Sequence, residues 1–392
     1  MNLSLYFKKF FSSNQSSGII LIFCVLVSLL IANSSAGEGF QNFLDKEVGT
    51  QLFHLTYPVS IWINDGLMAV FFLLVGLEIK REMVEGELSS FKNASLPIFA
   101  AVGGMLVPAA IYTFFNSGTE YSSGWGIPMA TDIAFSLAII SMLGKKIPNS
   151  IKIFLAALAI VDDLGAILVI AIFYTEQIHW AYLLLSFGTA ALLFLLNFLK
   201  VTRLIFYIIP GLFLWYFLHH SGIHATIAGV LLAFSIPTNV SDVETSPLEK
   251  LEHKLHFPVS FLIMPIFALT NTNIAFTSEM VAGVTSTLGL GIICGLILGK
   301  LIGINVFSFI AIKLKLSTLP QNSTWLQMVG VGLLAGIGFT MSIFIALLSF
   351  KDSIPIQDEA KFAILIASFL AAVLGFVILS MSSKKDMNAV EN

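Results

Sequence analysis

Apolar residues crowd into long stretches, and polar residues are confined to the short segments between them. A membrane-crossing helix needs about 20 mostly apolar residues. Twelve stretches answer to that, over residues 17–32, 59–81, 95–115, 125–143, 150–174, 180–199, 204–218, 222–236, 251–271, 287–311, 328–350 and 360–380. Their periodicity is helical or apolar all round. The ten-residue alternating segments of a membrane β-barrel are missing. The pattern predicts an all-α polytopic membrane protein, with residues 1–392 forming one integral membrane transporter domain. In the first stretch, Lys8 and Lys9 precede an apolar run that ends in small residues, a pattern that also fits a cleaved signal peptide. Eleven further spans favour a first transmembrane helix.

Composition sharpens this picture. The chain has 392 residues, 57% hydrophobic and 11% charged, against roughly 25% charge in a soluble domain. A soluble fold of this size has too little polar residue to cover its exterior, and disorder is excluded for the same reason. A net charge of −3 excludes a nucleic-acid surface. Cys24 and Cys294 each lie in an apolar run, which argues against a disulfide framework or a cysteine metal site.

Lysine and arginine set the expected orientation. With the N-terminus placed in the cytoplasm, sixteen of the 20 basic residues fall on the inside and three, Lys46, Lys351 and Lys361, on the outside. Lys300 falls within a span. The bias supports twelve spans with both termini inside. The longest outside segment includes residues 51–57, which have β character, so a hairpin is expected near 45–58. An isolated hairpin is marginal alone and would pair with a second copy.

Charge at membrane depth is costly and marks function by default. The deep ionisable residues are Asp65, Glu78, Asp132, Asp162, Asp163 and Lys300, and His224 is the one deep histidine. Asp162 and Asp163 are neighbours in the fifth span and point about 100° apart on a helix. Two close carboxylates in low dielectric cannot easily both stay ionised, so the pair suits a proton or a hard cation in competition. Asp132 follows Pro128 and Thr131 in the fourth span, where helix continuity is weak. The eleventh span carries Gly330, Gly332, Gly336 and Gly338, which read equally as close packing or as a break. Position favours the break. Each interrupted span is the middle member of a triplet, spans three to five (about 95–174) and ten to twelve (about 287–380). That is the pattern of inverted transporter repeats. Asp132 would compensate the positive ends of the half-helices, and Lys300 either their negative ends or an aspartate partner. Glu78, Arg81 and Glu82 leave the membrane together, as do Glu252, His253 and His256 at the start of the ninth span. They read as solvated helix ends or as a pH-responsive pair of clusters.

The segments Trp62-Ile-Asn-Asp65, Phe71-Phe-Leu-Leu-Val-Gly-Leu-Glu78, Ala130-Thr-Asp-Ile-Ala-Phe135, Ala159-Ile-Val-Asp-Asp-Leu-Gly165, Gly222-Ile-His-Ala-Thr226, Leu251-Glu-His253 and Gly336-Ile-Gly-Phe-Thr-Met-Ser-Ile343 resemble one family. It is the NhaA-type sodium/proton antiporters of bacterial inner membranes. The resemblance runs over nearly the whole chain, and no key position departs from it. It implies crossed, unwound fourth and eleventh helices. It implies Asp162 and Asp163 as the Na+ (or Li+) and proton site, with Asp163 the direct ligand, and Asp132, Thr131, Lys300 and Asp65 in support. It assigns pH response to Glu78, Arg81, Glu82, Glu252, His253, His256 and His224, and implies a homodimer joined through the hairpin. No cofactor is called for beyond the transported ions. The deep charges do not fit an enzyme. A prenyltransferase needs Asp-rich clusters at about four-residue spacing, and an intramembrane aspartyl protease needs its own sequence context. The stronger rival is a sodium-coupled symporter of a small organic solute.

Overall fold

The computed structural model describes residues 14–175, 177–238 and 246–390. Lys8 and Lys9 of the orientation argument lie outside them. The fold is all-helical apart from one hairpin. Each of the twelve apolar stretches falls on a helix. Among the described residues, eight helices are long and apolar enough to cross a membrane, and two bent pairs raise this to ten. The seventh stretch is the 17-residue helix Ile205–Ser221, and the eighth shortens to Ile227–Ser235. The first bent pair turns by 111° after Ala32 into Gly37–Leu44, so the chain leaves the axis of the first span there.

The helix ends follow from local chemistry. Ser246 caps the ninth span in a reciprocal box with Glu249, and Pro247 occupies the first turn, where a missing N–H costs nothing. Thr324 and Gln327 form the same box at the start of the eleventh. Three spans contain a π-helical turn, at Trp62–Leu67, Val259–Ile263 and Gly295–Gly299. Such turns shift the side-chain register and recur at functional sites.

The chain divides into two compact units. One comprises the described residues up to Phe23, Glu87–Ala166, and those from Phe276 onward. Within it, helix Phe91–Asn116 packs closely along Lys300–Lys313. At their crossing a Cβ on Gly303 would lie 2.1 Å from the Gly103 carbonyl oxygen. Only glycine permits that approach.

The other unit comprises Cys24–Gly86 and Ile167–Ala275. Its apolar centre gathers Leu77, Tyr207, Leu214, Leu232 and Leu251. It also carries the hairpin. Glu47–Thr50 pairs antiparallel with Leu55–Pro58, with Glu47 opposite Pro58, around a turn in which His54 takes a left-handed φ of 52°. Trp62 Nε1 donates to the Val48 carbonyl at 2.8 Å and ties the hairpin to the second span. Lys80 donates to the carbonyls of Phe234 (2.8 Å) and Ile236. Its cation closes the C-terminal end of the short eighth span, where helix carbonyls lack partners.

Gly303→Val is expected to lower stability by about 1–3 kcal/mol, the cost of overpacking a close crossing. Thermal unfolding of the purified protein in detergent measures it, and an unchanged midpoint contradicts the crossing.

Candidate functional site

The site begins where two helices stop. In the fourth span a 3-10 segment, Ser122–Met129, gives way at Ala130 to extended backbone, and the α-helix Ile133–Met142 begins after Asp132. In the eleventh, Trp325–Leu334 and Phe339–Ser349 meet at a 45° bend. Pro128 lies inside the 3-10 segment, two residues ahead of the first break. It has no N–H to donate, and proline disfavours helical geometry in the residue before it.

Both breaks lie in the same unit, and each supplies the partners the other needs. The Asp132 backbone N–H donates to the Ile337 carbonyl at 2.6 Å. Thr131 Oγ1 lies 2.8 Å from the Ala335 carbonyl, and Ser342 Oγ donates to the Ile127 carbonyl at 2.7 Å. The Asp132 carboxylate accepts from Phe135 N (3.1 Å) at the start of one half-helix. It also accepts from Thr340 N (3.1 Å) and the Thr340 hydroxyl at the start of the other. One carboxylate thus accepts from amides at the starts of two half-helices.

The second charge centre is the fifth span. Asp162 is fully buried and Asp163 is 2% exposed. Lys300 follows directly on the π-turn Gly295–Gly299, whose glycines let the tenth span lie against Pro128 and Pro108. Its ammonium is also fully buried and lies 2.5 Å from Asp162 Oδ2. Sequence reasoning left Lys300 between a helix C-terminus and an aspartate; the structure pairs it with Asp162. Thr131 Oγ1 accepts from Lys300 at 3.0 Å and lies 2.7 Å from Asp162 Oδ2. Its single proton goes to Asp162 or to Ala335. Asp163 is near enough to interact electrostatically with Lys300. Asp162 Oδ1 is buried and accepts no hydrogen bond, so a carboxylate oxygen remains for a further ligand.

This arrangement can hold and release protons, and its oxygen donors suit a small hard cation. Among the described residues no three His, Cys, Asp or Glu side chains converge as a resident metal would require.

The remaining candidates lie in the other unit. Asp65 sits on the π-turn Trp62–Leu67, 3.5 Å from His219 Nδ1 and 3.7 Å from His224 Nε2. His224 Nδ1 is 2.8 Å from Thr226 Oγ1. Arg81 bridges Glu82 (3.1 Å) and the buried Glu252 (3.2 Å), and Glu78 is partly buried one turn earlier. His253 and His256 are exposed.

Sequence reasoning missed several contacts. His219 fell one residue beyond the expected end of the seventh span. Thr340 and Ser342 were quoted in a motif but given no role. A hydroxyl just past a glycine-rich break was the signal, because such positions carry free amides. The role of Lys80 had no signal, since it depends on where the eighth span ends.

Asp132→Asn removes the charge from two helix ends and is expected to cost about 1–2 kcal/mol. Thr340→Val removes one donor and is expected to cost about 1 kcal/mol. Because both act on one carboxylate, thermal unfolding of the double variant is expected to depart from additivity by at least about 0.5 kcal/mol. Strict additivity contradicts the shared cap.

Comparison with known proteins follows the same line. A family model described as Na+/H+ antiporter 1 matches residues 8–379. A Na(+)/H(+) antiporter NhaA 2 of Flavobacterium johnsoniae is 59% identical over 381 residues, 96% of this chain and 93% of that protein. A Na(+)/H(+) antiporter NhaA of Flavobacterium psychrophilum is 49% identical over the whole of both chains. A Na(+)/H(+) antiporter NhaA 2 of Clostridium beijerinckii is 51% identical over 97% of this chain and 95% of its own.

Proposed function

The chain belongs to the Na+/H+ antiporter 1 family and is a multi-pass Na+/H+ antiporter, a transporter and not an enzyme, and from that premise we propose how its residues carry the exchange. Asp162 and Asp163 take Na+ or Li+ from the cytoplasm and protons from outside. The observation that carries this is the buried Lys300–Asp162 pair beside Asp163, with one Asp162 oxygen still open.

With the site facing inward at higher pH, Asp163 is deprotonated and Asp162 is held by Lys300. An arriving Na+ competes with the ammonium for Asp162, and Thr131 is placed to follow either partner. Outward exposure reverses the competition: protons return and the cation leaves. Two protons per Na+ result if Asp163 carries one and Lys300 or Asp162 the other. Such a cycle moves net charge inward and draws about 2.3 kcal/mol per charge from each 100 mV of membrane potential. Asp132 and Thr131 support the site by fixing the breaks, and Asp65 supports the second span at its π-turn.

Control by pH falls to Glu78, Arg81, Glu82, Glu252, His253 and His256 at one end of the second and ninth spans, with His224 contributing beside Asp65. The basic-residue bias supports a bacterial inner-membrane protein with both termini cytoplasmic. The hairpin supports a homodimer. Val48, Leu52 and Phe53 are exposed on it, and a two-stranded ladder leaves its outer edges open to pairing.

Reconstitution in liposomes with an acid interior tests the exchange. Na+ and Li+ are expected to collapse the gradient, K+ is not, and no organic solute is required. Absence of Na+-driven proton movement anywhere between about pH 6.5 and 9, around the range where histidine begins to lose its proton, overturns the reading. Asp163→Asn is expected to abolish exchange, and full activity in that variant removes the assigned site. Deleting the hairpin turn is expected to shift the protein from dimer to monomer in mild detergent, read by light scattering.

A further inference from the structure

The helices that follow the two breaks recur at nearly the same interval. The half-helix Ile133–Met142 is answered by Phe339–Ser349, and the next helix, Asn149–Phe173, by one that begins at Ile354. From Ile133 to Phe339 is 206 residues, and the following helix starts keep that interval to within one residue. At the same interval Ser136 falls on Ser342, serine on serine, and Asp132 falls on Gly338, each the N-cap of its half-helix. The 206-residue interval carries Asp162 onto Ser368, and the 205 residues between the starts of their own helices carry Asp163 there.

Asp162 and Ser368 each also touch the broken span of their own repeat. Asp162 Oδ2 lies 2.7 Å from the hydroxyl of Thr131, one residue before its N-cap. Ser368 Oγ accepts from the backbone N–H of Phe339, one residue after its N-cap, at 3.1 Å. Both side chains are buried, Asp162 completely and Ser368 to 7% exposure.

We propose that Ser368 is the second-repeat counterpart of the Asp162–Asp163 pair and acts as a positioning residue for the exchange, a neutral acceptor that holds the start of the half-helix Phe339–Ser349. The first amides of a helix have no partner within it. Here Phe339 N is taken by Ser368, Thr340 N by Asp132, and Ser342 N by the Gly338 carbonyl. Ser368 thereby keeps Thr340 seated on Asp132. Its neutrality matters. A hydroxyl satisfies the Phe339 amide without adding charge. A carboxylate there would place a second anion on an end that Asp132 already compensates, in surroundings where water cannot screen the repulsion. One repeat therefore carries a carboxylate able to exchange a cation and a proton, and the other carries a latch of the same placement.

The activity arm of the test rests on the antiport reading; the exchange arm does not. Ser368→Ala, the nearly isosteric Ser368→Cys and the conservative Ser368→Thr are made in the full chain. Na+-driven proton flux is measured in liposomes, and amide hydrogen exchange over residues 335–345 in detergent. Ala and Cys are expected to lower the maximal rate about five- to tenfold, the scale of one lost hydrogen bond. The apparent KM for Na+ stays within about twofold, and Thr restores the rate. Amide exchange over 335–345 rises in Ala and Cys and stays at the parental level in Thr. Unchanged rate and exchange in Ala and Cys overturn the latch, as does a loss that Thr does not rescue. An effect confined to KM overturns it too, because it would make Ser368 part of the ion site. If the parent protein moves no protons with Na+, the antiport reading falls and hydrogen exchange alone decides the latch.

Discussion

Two helices stop in the buried interior of a membrane protein, and the backbone groups they release find their partners inside it. In an apolar medium an unsatisfied amide or carbonyl costs several kcal/mol, so irregular backbone survives at membrane depth only when buried against polar groups. The structure meets this constraint by letting each break satisfy the other. Asp132 N–H bonds the Ile337 carbonyl, Ser342 bonds Ile127, and the Asp132 carboxylate caps both half-helices that begin there. Neither break is explicable alone. Restoring a continuous helix in one strands polar groups in the other.

This mutual satisfaction fixes where charge is tolerated. Two converging helix N-termini make a positive locus, and Asp132 occupies it with all its visible partners made. It is thereby spent on structure. On the proposed exchange, the mobile chemistry lies with the neighbouring pair, where Lys300 meets Asp162. A fully buried ion pair is a poor source of stability, because desolvation offsets much of the attraction. It is a good switch, because a third ion of the right charge competes for the same oxygen. Thr131 joins the two regions. Its hydroxyl lies within reach of both Asp162 and the Ala335 carbonyl, so the break senses who holds Asp162.

Hydropathy made the spans legible because the bilayer imposes one composition on all of them. The breaks were legible for a related reason: Pro128 and the glycines near 336 are the residues that helices tolerate least. Depth alone singled out Asp65, Glu78, Asp132, Asp162, Asp163 and Lys300. What composition could not supply was partner choice. The π-turn Gly295–Gly299 alters the register of Lys300, and no fixed 100° step anticipates it. Spans seven and eight were displaced by a few residues, enough to leave His219 in a loop when it faces Asp65. Thr340 and Ser368 are ordinary hydroxyls in apolar helices, and their meaning exists only once the free amides of Phe339–Ser349 are located.

The two halves of the break region share spacing but not charge. A perfectly repeated site would place Asp at both 162 and 368 and a capping carboxylate at both 132 and 338. With Asp163, five carboxylates then crowd two helix ends and one lysine, which low dielectric disfavours. Replacing one capping carboxylate with Gly338 and one exchangeable carboxylate with Ser368 removes two of these charges. The packing that both positions provide is kept. The surviving cap serves both half-helices, which Asp132 can do only because the breaks cross within hydrogen-bond distance. The remaining pair, Asp162 and Asp163, then faces a single buried ammonium. One ammonium leaves one carboxylate unneutralised, so on the proposed exchange a site without a cation holds a proton.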